Sequence, residues 1–584
     1  MKKFLLWLFG IIFLLIIGFG TYIYFNAHRI VNTILRTEII DKYNESPDAK
    51  YLISLEKIKL NFITGSVKVS NINVIPKDSL VTLQGNLTGD VIQSTSLNIH
   101  IKEISLQGFD YLNAINNRII TVNKFTLHQP QIYIYQHEGI PQEEEQHQDT
   151  IDLRSIFLTH FDTFQISEIA IADAFLSINK VNRQNDTLNQ FSINHLSYQI
   201  DNVLANSRTL YSEQYFSFKR YSLGSKKLEV ALNDGGSFSI GSIYYHSEEK
   251  NLQINKIDFT PGKTAAQFFS KLKYRKAWIK ASLAKLQIED IDLLKVISNK
   301  GLIASSLTLK KPNLSIHSNA NIPLDTNQIK PMLGQSLVAI PIPYFIDNLL
   351  IENATISLDM MGKATENHGK LQFNKMNITG RNLTNIPSYL SENKFLTIQA
   401  TTKVNNTGKV NANLKIDLQD PKGQTQFNVS ATQLKLKNLS SVLKPILRIS
   451  ILDGTIVSLK TTSSLNAYGA TGKMDVHYEN LRLQLEAKDL AMKPGFFNSL
   501  ASGLANGIIK TNNVPGAKNY HQGAISFTKK NEDSFFKMLW LIQLHGLEDS
   551  ILGSDARDQR IKNKKQKQEN KTKSKSNKKW KIKF

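Results

Sequence analysis

ISLQGFDYLNAINNRIITVNKFTLHQPQIYI, residues Ile104–Ile134, is matched without a gap by LQIEDIDLLKVISNKGLIASSLTLKKPNLSI, residues Leu286–Ile316. The two stretches are identical at Asp110/Asp292, Leu112/Leu294, Ile115/Ile297, Asn117/Asn299, Thr126/Thr308, Leu127/Leu309, Pro130/Pro312 and Ile134/Ile316. Most other pairs keep their polarity, as Leu106 with Ile288 does. Each copy reads as strand, short helix, strand, turn at Pro, strand. A self-match of this length signals an internal duplication.

The match extends both ways. Downstream, Ile169-x-Ile171 falls on Leu349-x-Ile351, and Phe191-Ser-Ile-Asn194 on Leu371-Gln-Phe-Asn374. Upstream, Gly65–Ile72 resembles Gly236–Ile243. One unit therefore covers about residues 55–205 and its copy about 228–385. A weaker third echo starts at Leu434.

Composition narrows the chemistry. The chain has 584 residues, 41% of them hydrophobic, and no cysteine. Disulfides, thiolate nucleophiles and Cys-ligated metals are excluded. The net charge is +22, and half of it (+11) sits in Arg557–Phe584. That basic tail has almost no apolar residue before Trp580, Ile582 and Phe584, which is the composition of a disordered segment.

Phe4–Phe25 (FLLWLFGIIFLLIIGFGTYIYF) carries no charge. At about 1.5 Å per residue it spans roughly 33 Å as a helix, enough for a bilayer core. A cleaved signal peptide fits less well, because the run is long and no small-x-small site follows. Residues 28–45 read as a juxtamembrane helix. From Tyr51 to about Leu485 the dominant period is two, as in Val67-x-Val69, Leu97-x-Ile99-x-Ile101, Leu414-x-Ile416-x-Leu418, Leu434-x-Leu436 and Leu481-x-Leu483-x-Leu485. Such strands have one apolar and one wet face. Short helices are expected at Tyr111–Asn117, Leu293–Asn299, Leu153–Phe164, Phe268–Lys273 and Phe496–Ile509, and an amphipathic one at Ser534–Gly553. The apolar face must be hidden by tandem sandwiches, by closure into a barrel, or by something other than protein on a long curved sheet. Tandem sandwiches are the common solution.

Catalytic signatures are missing. Gly262-Lys263-Thr264 lacks the preceding glycine of a phosphate-binding loop, since Ile257 stands there. Asp110 and Asp292 recur, but each precedes a short helix, where capping explains it. The acidic loop Glu138–Asp149, with His137 and His147 nearby, has no fixed ligand spacing and reads as solvated.

Several motifs together carry a resemblance. They are the N-terminal anchor; Ile58-x-Leu60 with Gly65-Ser-Val-x-Val-x-Asn-Ile72 and Pro76; the unit from Ile104 to Ile134; Asp453-Gly-Thr-Ile456; Gly472-x-Met474-x-Val476-x-Tyr478-x-x-Leu481; and Phe535-Phe, Trp540 and Gly546-Leu547. This pattern resembles the AsmA-like family of Gram-negative envelope proteins, the TamB- and YhdP-related, bridge-like lipid-transfer type. The likeness runs over most of residues 1–553 and leaves out the basic tail.

The resemblance implies a mainly β fold: an elongated, twisted β-sheet groove of repeated units with a few short helices and an N-terminal transmembrane helix. The expected organisation is an anchor (1–27), a juxtamembrane helix (28–50), a first β-rich unit (51–227), its duplicate (228–394), a C-terminal β region (395–530), an amphipathic helix (531–553) and the tail (554–584). With about 14–18 residues per strand and turn, some 430 residues would give roughly 25–30 strands.

The implied function is lipid carriage: a protein held in the inner membrane by residues 4–25, its body in the periplasm, channelling phospholipid acyl chains for outer-membrane lipid homeostasis. The expected lining is Val67, Val69, Ile132, Ile134, Ile169, Ile171, Phe238, Ile240, Leu307, Leu309, Leu314 and Ile316. No catalytic residue, cofactor, metal or nucleic acid is expected. Expected partners are phospholipids or other acyl lipids, an outer-membrane or envelope protein, and anionic headgroups for the tail. The alternatives are an assembly factor for outer-membrane proteins or envelope integrity, and a glycan-binding chain of sandwiches.

Overall fold

The computed structural model describes most of residues 40–553. Residues 1–39, 77–94, 138–161, 486–508 and 554–584, with a few shorter breaks, lie outside the described residues. The expected anchor, acidic loop, helix at Phe496–Ile509 and basic tail fall there. So does the juxtamembrane helix, except for its end at Lys42–Glu45. Among the described residues no helix is long and apolar enough to cross a membrane.

The chain divides into two compact units, residues 1–262 and 263–584. The first contains β1 (Tyr51–Ser54), β2 (Lys57–Asn61), β3 (Ser66–Pro76), β4 (Thr95–Gln107), β5 (Ile119–His137), β6 (Thr163–Val181), β7 (Thr187–Asn206), β8 (Arg220–Ser225), β9 (Lys227–Ala231), β10 (Ser237–His246) and β11 (Asn251–Thr260). β1 and β2 lie along β3, and β3, β4 and β5 follow antiparallel. β5 and β6 are parallel, then β6 and β7 antiparallel. β8 and β9 together bridge β7 to β10, which pairs with β11.

The second unit contains β12 (Trp278–Glu289), β13 (Leu302–Lys310), β14 (Asn313–Asn319), β15 (Tyr344–Met361), β16 (His368–Thr384), β17 (Phe395–Val404), β18 (Thr407–Asp417), β19 (Thr425–Lys435), β20 (Ile449–Asn466), β21 (Gly469–Leu485) and β22 (Gly523–Thr528). β13 and β14 lie along β12 antiparallel and along β15 parallel. From β15 to β22 every step is antiparallel and between sequence neighbours.

The duplication holds at the level of individual ladder partners. Ile104 faces Leu127 as Leu286 faces Leu309. Across the parallel step, Phe125 faces Ile169 as Leu307 faces Leu349. Ile178 faces Phe191 as Leu358 faces Leu371, and the register shifts around Ala174 recur around Ala354. The upstream match does not carry over so simply. β3 pairs directly with β4, whereas a further strand, β11, lies between β10 and β12 in sequence.

The prolines fall at kinks. Pro130 lies inside β5, which runs on through it, and Pro312 in the two-residue break between β13 and β14. Gln129 and Lys311 before them have φ of 48° and 52°. Both neighbouring ladders keep their register across these kinks, and a residue without an N–H suits a place where the ladder bond is interrupted. Neighbouring strands bulge at the same level: Asp173 and His195 have φ of 61° and 52°, and their copies Asn353 and Lys375 have 54° and 51°. A row of bulges in register bends each strand at one level and re-phases its side chains.

Neither unit is a closed sandwich or barrel: among the described residues each is one sheet that does not return on itself. Among the described residues there are 22 strands, and many of them run 17–20 residues. Other corrections are local. Leu153–Phe164 is not one helix, since Thr163 and Phe164 begin β6. The helix expected from Phe268 is Ala265–Phe269, and Leu436 opens a 3-10 turn instead of continuing a strand. Helices also form at Leu333–Val338, Pro387–Glu392 and Ser440–Leu447. The third echo therefore keeps the strand–helix–strand order and then lacks the parallel step.

Candidate functional site

Apolar side chains form rows that run from strand to strand on one face. In β16 they occupy Leu371 and Phe373, then Met376 and Ile378, then Leu383. The parity switches at Lys375 and again at Asn382, whose φ are 51° and 64°. The bulge at Lys375 absorbs one residue, while at Asn382 the partner strand switches with it and the register is kept, so the apolar face stays continuous. In unit 2 one row reads Leu286, Leu309, Ile351, Ile378, Ala400, Ala412, Val429, Thr461 and Met474, each opposite the next. In unit 1 a corresponding row reads Val69, Ile104, Leu127, Ile171, Tyr198, Leu223, Tyr245 and Leu252.

Cover over this face is uneven. Leu286, Leu309, Ile351, Ile378, Ala400 and Ala412 are all half-buried. Farther along the same row, Thr461 and Met474 are fully buried. The cause is a helix, residues 535–553, whose Phe535, Met538 and Ile542 join Met474, Val476 and Ile525 in one core. Close approach needs glycine there: a Cβ on Gly523 would stand 2.1 Å from the Gly546 carbonyl oxygen. Thr461 donates to Gln543 at 3.0 Å, and the Asp549 carboxylate accepts from the Ala524 N–H at 2.8 Å. A second plug covers one end of β16–β18, where Leu333, Leu337 and Leu390 meet Leu396 and Ile416.

Elsewhere the opposite face is polar. Lys124, Glu168, Asp201 and Arg220 stand side by side on β5 to β8. Lys124 pairs with Glu168 at 2.7 Å, and Arg220 with Asp201. Burial alone would push the Asp201 carboxyl up, but hydrogen bonds from Gln199 and Arg220 hold it below the usual range. Along the bulge row, Lys102 donates to Gln129, Gln129 to Asp173, and Asp173 meets His195 at 2.6 Å. That contact with His195, aided by Gln129, lowers the Asp173 pKa. On the other face, burial raises the Tyr198 phenol. Beside the plug, burial pushes Tyr344 up to about 12.

The twelve expected lining residues fall in these rows. Val67 shares a row with Ile169, Val69 with Ile171, Ile132 with Ile240, and Ile134 with Phe238. Leu307, Leu309, Leu314 and Ile316 belong to four separate rows of unit 2. The second plug was not foreseen. The residues that build it, Leu333 to Val338 and Pro387 to Glu392, make helices of only six residues with no clear period. The close Gly523–Gly546 approach left no signal beyond the glycines themselves.

The motifs set aside as structural have structural roles. Asp110 accepts from the Asn113 N–H at 3.0 Å, and Asp292 from the Lys295 N–H at 3.3 Å, as helix caps do. Thr264 caps Ala265–Phe269 in a capping box with Gln267. Among the described residues no group of three or more His, Asp or Glu is placed to hold a metal ion. Compared with protein-family models and with curated proteins, the sequence matches none.

Proposed function

We propose that the apolar rows hold the acyl chains of phospholipid or similar lipids, and that the protein carries them between membranes of a cell envelope. The observation that supports this is the run of half-buried apolar side chains from Leu286 on β12 through Leu309 and Ile351 to Ile378 on β16, which residues 535–553 do not cover as they cover β20–β22. Each methylene placed on such a face contributes about 0.8 kcal/mol. An acyl chain can therefore be held without any polar contact, and successive rows offer near-equivalent positions along the sheet. The headgroup stays in water. Nothing in the task calls for a nucleophile, a metal or a cofactor. In this reading residues 4–25 attach the chain to the inner membrane and the body is periplasmic.

The test is lipid extraction from the purified full-length protein, followed by mass spectrometry. Co-purifying acyl lipid is expected, and Leu314→Lys should remove most of it while leaving the circular dichroism unchanged. Leu314 is half-buried, so the lysine can reach solvent without unfolding the strand. Absence of lipid from the wild-type protein would count against the proposal.

A further inference from the structure

Four segments of unit 2 meet beside the start of the helix at 535–553. The Lys330 N–H donates to the Asn531 carbonyl, the Lys529 N–H to Tyr468, and the Ala467 N–H to Lys422, all at 2.8 Å. Together they carry Ile329, Tyr468, Phe536 and Trp540, which are 71%, 64%, 70% and 39% exposed. Among the described large hydrophobic residues only Ile297 matches the first three. Phe536 and Trp540 lie one turn apart on the side of the helix turned away from the core, while Phe535, Met538 and Ile542 face inward.

Lysines surround this patch. Lys330, Lys422, Lys529, Lys530 and Lys537 lie on the same four segments, and Lys422 sits over the Tyr468 ring at 5.6 Å. Asp420, Glu532 and Asp533 oppose them, but Asp533 is already paired with Lys537. The sequence after the helix adds +11 in residues 557–584. Aromatic rings and one isoleucine project from the helix and from separate loops among lysines, the arrangement that seats a protein in the headgroup layer of a bilayer.

We infer that this patch docks on the surface of an anionic lipid bilayer, with Phe536 and Trp540 entering the headgroup region and the lysines facing lipid phosphates. The inference does not rest on what fills the apolar rows. Docking can fail while lipid loading persists, and the reverse.

The absence of cysteine gives a clean test, since Phe536→Cys accepts one environment-sensitive dye at one site. The full chain is held in phosphatidylcholine nanodiscs and mixed with vesicles. Vesicles containing phosphatidylglycerol should blue-shift the dye; pure phosphatidylcholine vesicles should not. Raised salt should reverse the shift. Replacing Lys529 and Lys530 by Gln should weaken binding by about tenfold or more. The same dye at Ile297→Cys should stay unchanged. The inference is overturned by no shift at residue 536, by equal shifts with both vesicle types, or by an equal shift at residue 297. Capture of an envelope protein by a photo-crosslinker at Trp540, with no vesicle response, would also overturn it in favour of a protein partner.

Discussion

One face of the second sheet solves the same physical problem in two ways. Over β20–β22 the apolar rows end beneath a helix, and Met474, Met538 and Ile542 are fully buried. Over β12–β18 the same rows continue with half-buried Leu, Ile and Ala. The strands are alike in both regions in their period-two alternation and polar opposite face, and apart from the parallel step onto β15 their partners are antiparallel. What differs is the packing partner, and with it the side chains. The capped region has Gly523, Gly546 and Thr461 where the helix comes close. The Leu286–Ile378 stretch of the open row has leucine and isoleucine with no such accommodation. A face shaped for a fixed neighbour carries small residues and specific hydrogen bonds; a face that meets exchangeable hydrocarbon needs neither.

The sharpest way to separate the regions is to enlarge a side chain in each. Gly523→Leu must displace the helix backbone at Gly546, so destabilisation of about 3 kcal/mol or more is expected in urea melts. Hydrogen exchange should rise first in residues 535–553 and not in β12–β15. Unchanged stability would mean the helix is not seated as described.

Next in size come the bulges, which both regions need to stay in phase. Asn353 holds φ of 54°, so Asn353→Val should cost about 1–2 kcal/mol, because a β-branched residue resists the left-handed conformation. Asn353→Gly should be close to neutral. Similar losses from both variants would refute the backbone explanation.

Enlarging the open face should do little. Ala400→Leu adds bulk to a half-buried position in the long row that belongs to neither core, and a change within about 0.5 kcal/mol is expected in the same melts. A loss as large as that of Gly523→Leu would show that protein already fills this face.

The smallest effect is a pH dependence at the edge of the plug. Burial alone would raise the Asp417 carboxyl, but contacts with Lys394 and nearby N–H groups hold its pKa below the ordinary value. A depressed carboxylate contributes stability above its unfolded pKa of about 3.9 and loses it as pH falls through the folded value. Thermal melts of wild type and Lys394→Gln should therefore differ at neutral pH and converge in acid.

Much of the open region was legible in the sequence, and much of the capped region was not. Alternation alone placed Val67, Ile132, Leu309 and Ile316 on apolar faces, and the repeat showed that the pattern continues. Alternation is blind to strand direction, so nothing foretold the parallel pairing of β5 with β6 and of β13 with β15. Pro130 and Pro312 suggested turns because a proline breaks a ladder; β5 runs on through Pro130, and at Pro312 the strand breaks for two residues with its register kept. The parity switches at Lys375 and Asn382 were present in the chain, but a bulge and a turn interrupt the alternation in the same way. The Ser534–Gly553 helix was readable from its period, whereas its seat depends on a contact between residues far apart in sequence.

The central claim is that the rows over β12–β18 face lipid while the rows over β20–β22 face protein. The most direct measurement places a photoreactive leucine analogue at Leu309 and, separately, at Leu459 in the full-length protein within its native membranes. Leu459 is buried in the capped core, and Leu309 lies half-buried in the open row. After illumination, lipid adducts are expected at position 309 and only adducts to this chain at position 459. Protein adducts without lipid at position 309 would contradict the account.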